Sequence, residues 1–122
     1  MPPDRRATGS AAESLALAYL ESRGLTCLLR NYRCRHGEID LVVRDGSTLV
    51  LVEVRSRSSR RYGGAAGSVD AHKQKRLVAT ASHLLLTRPD LRKYPARFDV
   101  IAIHDDGLRS PQIDWIRDAF RL

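Results

Sequence analysis

The sequence is short of cysteine, lysine and aromatic residues, and it has no long apolar run. Two cysteines, Cys27 and Cys34, exclude a four-thiolate zinc centre and a disulfide scaffold, and point to two reduced thiols in a cytoplasmic protein. No stretch approaches the roughly 18 consecutive apolar residues of a membrane span. The opening Met1-Pro2-Pro3-Asp4-Arg5-Arg6 lacks the apolar segment of a secretory signal. No amphipathic helix sets a basic face beside bulky aromatics, which speaks against docking on a membrane surface. A zinc signature, a nucleotide P-loop and a Ser/His/Asp arrangement are missing too.

What is present is one domain's worth of chain: 122 residues, 43% hydrophobic and 29% charged. Lys and Arg total 21 against 14 Asp and Glu, a net charge of +7. That balance favours a polyanionic partner. All but Lys73, Lys75 and Lys93 of these cations are arginines.

Residues 1–9 read as a polar arm and 10–122 as the domain. Ser10-Ala11-Ala12-Glu13 fits a capping box opening a mostly buried helix that stops at Gly24. A first strand is expected over 25–33, then a turn at Cys34-Arg35-His36-Gly37. Two β-rich runs, Glu38 to Arg44 and Leu49 to Arg55, flank Asp45-Gly46-Ser47-Thr48 as a hairpin. A Gly-rich basic loop covers 56–68. A second helix runs from about Asp70 to Arg88, ended by Pro89. Arg97 to His104 is a buried-type strand, and Gln112 to Arg117 a last short strand followed by a helical turn at Asp118-Ala119-Phe120. The order αβββαβ(β) predicts an α/β domain with a mixed sheet flanked by helices.

Alternation along the hairpin assigns its faces. With a turn centred on Gly46-Ser47, opposed residues sum to 93. Ile39, Leu41 and Val43 then share an apolar face with Val50, Val52 and Val54, while Asp40 opposes Glu53 and Glu38 opposes Arg55 on the other. Directly opposed Cβ atoms lie about 4.5–5.5 Å apart. Two carboxylates that close repel unless a cation sits between them, and a hard divalent cation such as Mg²⁺ suits oxygen ligands. The other use of such acids is ion pairing: Glu53 with Arg55 or Arg44, and Asp40 with a loop arginine.

Gly37-Glu38-Ile39-Asp40-Leu41-Val42-Val43, followed by Val52-Glu53-Val54-Arg55, resembles the PD-(D/E)xK pattern of the restriction-endonuclease-like superfamily, which includes archaeal Holliday-junction resolvases. The whole chain resembles the YraN family, through Ala18-Tyr19-Leu20, Asn31-Tyr32-Arg33, Tyr62-Gly63, Lys73-Gln74-Lys75-Arg76 and Arg97-Phe98-Asp99-Val100. The resemblance implies a restriction-endonuclease-like fold and a nuclease using Mg²⁺ or Mn²⁺. Asp40 and Glu53 correspond to the two motif acids, both metal ligands. Glu13 matches a further acid supplied from the first helix, with the capping box as its alternative role. Glu38 is an auxiliary acid, or a partner of Arg55. Arg55 departs from the motif, which has lysine there; it keeps the charge but is planar and does not deprotonate. Asp99 is either part of this set or a structural partner of Arg97 or Arg92.

Arg57, Arg60, Arg61, Tyr62, Lys73, Lys75 and Arg76 form the expected nucleic-acid surface, with His36 and His72 as further phosphate donors. Three of these cations stand near a helix start, where the macrodipole disfavours positive charge but favours an anion. The partner expected is nucleic acid, DNA before RNA, with a homodimer as an option that resolvase-like nucleases often take. The rival reading is a binding or protein-interaction module that kept the fold without the chemistry.

Overall fold

The computed structural model describes residues 5–57, 70–104 and 110–120. The elements are α1 (Arg5–Ser22), β1 (Thr26–Cys34), β2 (Gly37–Asp45), β3 (Thr48–Arg57), α2 (Ala71–Thr87), a short 3₁₀ helix (Pro89–Lys93), β4 (Ala96–His104) and β5 (Gln112–Phe120). The strands form one five-stranded sheet in the order β1-β2-β3-β4-β5. Only β3 and β4 run parallel, so the chain between them must cross over the sheet, and α2 lies on that crossover. Neighbours on either side are antiparallel. This is the expected α/β architecture, a mixed sheet flanked by helices, consistent with a single restriction-endonuclease-like domain. Among the described residues no helix is long and apolar enough to cross a membrane.

Both faces of the sheet are buried. Leu41, Val43, Val50, Val52, Ile101 and Ile103 pack with Ala16 and Leu20 of α1. Val42, Leu49, Leu51, Val100 and Ala102 pack with Leu77, Ala81 and Leu84 of α2. The hairpin register is the inferred one, from Leu41↔Val52 to Asp45↔Thr48 with Gly46-Ser47 as the turn. One expectation about its face is corrected: Ile39 joins the α2-side group. Asn31, at φ +55, stands in β1 between the partners of Ile39 and Leu41, and a left-handed residue there breaks the pleat.

Two further corrections concern element ends. The first helix begins at Arg5, so Ser10 is inside it rather than at its start, and Glu13 belongs to its body. Arg and Ala are strong helix formers, and they carry the helix past the local cap signal. Its other end is as expected: Gly24 (φ +92) closes a Schellman motif, in which Leu25 N–H donates to Leu20 O and Gly24 N–H to Glu21 O. The helical turn expected at Asp118-Ala119-Phe120 is instead a continuation of β5 past a bulge.

That bulge is organised by Asp99, which is fully buried. It accepts from Arg97 Nε (3.0 Å), Trp115 Nε1 (2.8 Å) and Asp118 N (2.9 Å), the last at φ +53. Arg97 also reaches Asp45 Oδ2 at 2.9 Å. Asp99 is thus the structural partner of Arg97, far better supplied with donors than a catalytic acid needs to be. Asp99→Ala leaves three donors, the mostly buried Arg97 guanidinium among them, without this acceptor, so we expect a loss of about 3–5 kcal/mol in urea denaturation. A loss under about 1 kcal/mol would mean that the bulge does not depend on this carboxylate.

Candidate metal centre

The β2–β3 ladder ends at Leu41↔Val52. One residue further on, Asp40 Oδ2 accepts the backbone N–H of Val54 at 2.8 Å, so a side chain replaces the missing strand pairing. β3 keeps its pairing with β4 through Arg57, while β2 turns away toward its own turn at Gly37. The fork opens a cleft of about 180 Å³ between the two strands and α2, lined by Gly37, Glu38, Asp40, Glu53, Lys73, Arg76, Leu77 and Thr80. Gly37 has φ +149, and a Cβ there would stand 3.2 Å from Thr80 Oγ1. Only glycine lets β2 start this close to α2.

Carboxylates converge on the fork from three elements. Glu13 of α1 and Glu38 and Asp40 of β2 each offer an oxygen, all within 4.8 Å of one another. Glu53 of β3 is 7% exposed and lines the same cleft. Burial, followed by the charge of Glu53 and then those of Glu13 and Glu38, pushes the Asp40 carboxyl up to about 8, against the opposing pull of the Val54 N–H. Two oxygens on one Mg²⁺ lie at most about 4.2 Å apart, twice the usual bond of ~2.1 Å. The Glu13–Glu38–Asp40 set is therefore nearly the right size, needing a closure of roughly half an ångström or one bridging water. A hard, all-oxygen donor set with surplus negative charge fits Mg²⁺ or Mn²⁺.

The sequence-predicted site residues divide clearly. Asp40, Glu53, Glu38 and Glu13 are brought together. Glu38 does not oppose Arg55, because the ladder has ended; it pairs with Arg33 of β1 at 3.4 Å. Arg55 turns instead to Glu53, with Nε 3.6 Å from Oε1. Lys73 and Arg76 line the cleft, and Lys75 is exposed on α2 outside it. Arg57 ends β3, and Arg60, Arg61 and Tyr62 lie outside the described residues. His72 is exposed at the start of α2, whereas His36 stacks edge-on against His83 at 6.3 Å and His83 is bonded to the Tyr32 hydroxyl.

What sequence reasoning missed is the use made of Lys73. Asp70 caps α2 by accepting from Lys73 N at 2.8 Å. The Lys73 ammonium reaches back across the cleft to Glu53 Oε1 at 2.9 Å. A lysine placed against the helix dipole was the available signal; its carboxylate partner depends on how α2 seats on β3 and was not visible.

The uncompensated charge at Asp40 has a consequence for stability. A carboxyl whose pKa is about 8 in the fold and near 3.8 when unfolded keeps its proton preferentially in the fold. Its contribution is present at low pH and is lost as pH rises from about 4 through about 8. Thermal melts without divalent metal should therefore show wild type losing Tm across that range, and Asp40→Asn losing much less and melting higher at pH 8. Parallel pH profiles for the two proteins would place the charge surplus elsewhere.

Comparison with known proteins gives the family of the chain. The model of the uncharacterised protein family UPF0102 matches residues 12–103, which span α1 through β4. UPF0102 protein RSc3265 of Ralstonia nicotianae is 56% identical, covering 98% of this chain and 90% of that protein. UPF0102 protein MCA0184 of Methylococcus capsulatus is 52% identical over 94% and 91%, and UPF0102 protein NE0719 of Nitrosomonas europaea 52% over 92% of both. With the fork, its acids and the sheet that holds them all inside or beside the matched span, the chain belongs to the UPF0102 (YraN) family, of the restriction-endonuclease-like superfamily.

Proposed function

We propose that the protein is a nucleic-acid-binding, Mg²⁺- or Mn²⁺-dependent phosphodiester hydrolase, acting on DNA before RNA. The observation that carries this reading is the meeting of Glu13, Glu38 and Asp40 within 4.8 Å at the fork, beside Glu53 and under the cations of α2. Glu13, Glu38, Asp40 and Glu53 would hold the cation, which supplies charge neutralisation at the phosphoryl group and a more acidic water. Asp40 is fixed in place by Val54 N–H, and Glu53 by its burial in the sheet, so the donors are preorganised. Lys73 and Arg76, on the wall above, draw the phosphodiester down onto the acids. In the hydrolysis, a water oxygen bonds to phosphorus as the bond to the leaving sugar oxygen breaks. The water gives up its proton to solvent, and the leaving oxygen takes one from solvent.

A specific observation favours the rival, a non-catalytic nucleic-acid-binding module. Arg55 stands where the motif has lysine, and it pairs with Glu53 without being one of the residues that line the cleft. The two readings share the basic surface and differ in the metal. Titration calorimetry should show Mn²⁺ binding that Asp40→Asn and Glu13→Gln each weaken at least about 100-fold, the upper range for losing even an indirect support of a metal. Cleavage of duplex, single-stranded and four-way-junction DNA should need Mn²⁺ and disappear in Asp40→Asn. Mn²⁺ heats that both variants leave unchanged would remove the metal centre. Binding without cleavage of any of the three would favour the module.

Nucleic-acid affinity itself should fall steeply with salt, by a slope near −0.9 per phosphate neutralised on duplex DNA. A combined Lys75→Glu/Arg76→Glu variant should lose much of both affinity and slope in fluorescence anisotropy. If neither changes, this face of α2 is only solvated charge.

A further inference from the structure

We propose that Lys73, rather than Arg55, is the catalytic cation of this centre; the assignment rests on the phosphodiesterase reading above. The argument begins with access. The cleft is lined by Lys73 and Arg76 but not by Arg55, so a phosphodiester entering it meets the α2 cations first. The Arg55 side chain is 21% exposed and presents its Nε to Glu53 at 3.6 Å, a long contact that holds the carboxylate from its own strand. Lys73 reaches the same oxygen at 2.9 Å from across the cleft, with 34% of its side chain still open to solvent.

An ammonium in this position has two properties that the guanidinium lacks. It is compact, with three donors, so a contact with Glu53 leaves two for a phosphoryl oxygen. It also hangs on a flexible stem, and when a divalent cation takes Glu53 it can shift from the carboxylate to the phosphate without moving α2. Its place in the first turn of α2, against the macrodipole, is unfavourable unless an anion faces it. Glu53 is that anion now, and the reacting phosphate takes over the role when charge grows on its non-bridging oxygens.

Because Lys73 and the metal compete for Glu53, the assignment predicts effects of opposite sign. Lys73→Met should bind Mn²⁺ more tightly by calorimetry, about 5-fold, since a like charge a few ångströms from the metal is gone. The same variant should cleave about 100-fold or more slowly in single turnovers at saturating Mn²⁺, the cost of losing one donor aimed at developing charge. Lys73→Arg should recover only part of the rate, and Arg55→Met should stay within about 10-fold of wild type. Melting temperatures within a few degrees of wild type would show that each variant is folded.

If wild type cleaves and Lys73→Met matches its rate, or if Lys73→Met binds Mn²⁺ more weakly, Lys73 is not the catalytic cation. A collapse of activity in Arg55→Met with Lys73→Met intact would move the role to the hairpin. If wild type cleaves none of the three DNA substrates, the phosphodiesterase reading falls and the assignment with it. Tighter Mn²⁺ binding by Lys73→Met would then still show that Lys73 is the counter-ion at this acid cluster.

Discussion

Everything at the candidate centre depends on where β2 stops pairing with β3. A backbone N–H in the middle of a sheet cannot go unmet without a cost of about 1–3 kcal/mol, and the ladder abandons Val54 on its β2 side. Asp40 answers with a carboxylate oxygen. This single hydrogen bond lets the strands part without an orphaned donor and fixes the acid at the crotch of the fork. It also opens the sheet from its end, so that Glu13 of α1 reaches Asp40 and Glu38 while Lys73 of α2 reaches Glu53. A fully zipped hairpin would have kept α1 and α2 apart by the thickness of the sheet.

Asp40 and Asp99 make an instructive pair. Both are aspartates inside strands, and both accept a backbone N–H from a neighbouring strand. Asp99 adds an arginine and an indole N–H, so its charge is matched by donors and its role ends with the fold. Asp40 instead faces three other carboxylates, and its proton is held far above the ordinary range. A protein gains no stability from that arrangement. Groups perturbed by burial and like charge inside a cleft are candidates for a functional site.

Much of this was legible because it rests on short-range pattern. The alternation of Leu41, Val43, Val50 and Val52 about Gly46-Ser47 sets the hairpin register to the residue, and with it the shared face of Asp40 and Glu53. Asp70 and Pro89 bracket α2 as their backbone chemistry requires. The failures share a different cause. Ser10 offers a cap that the longer helix overrides, and Glu38 faces Arg55 only in a ladder extended past its end. Asp118 departs from the expected helical turn because its left-handed backbone is held by Asp99, distant in sequence. The Lys73–Glu53 contact likewise depends on how a helix seats on a sheet. Periodicity carries no information about where pairing ends or how layers are offset.

The topology explains why cations and acids meet at this spot. Making β3 and β4 parallel forces the chain to cross over the sheet, and α2 is the covering element on that path. A helix that follows a strand in such a crossover starts near the strand's carboxyl end, where open α/β sheets place their ligands. Here that brings the positive end of the α2 dipole, with Lys73 and Arg76, over the stretch of β3 that carries Glu53. The floor of the cleft carries acids and its wall carries cations. A free metal would satisfy the floor alone, and a free phosphate the wall alone. In the reading proposed above, a phosphodiester bound together with a divalent cation would satisfy both at once, which favours phosphoryl groups over metal storage or simple anion binding.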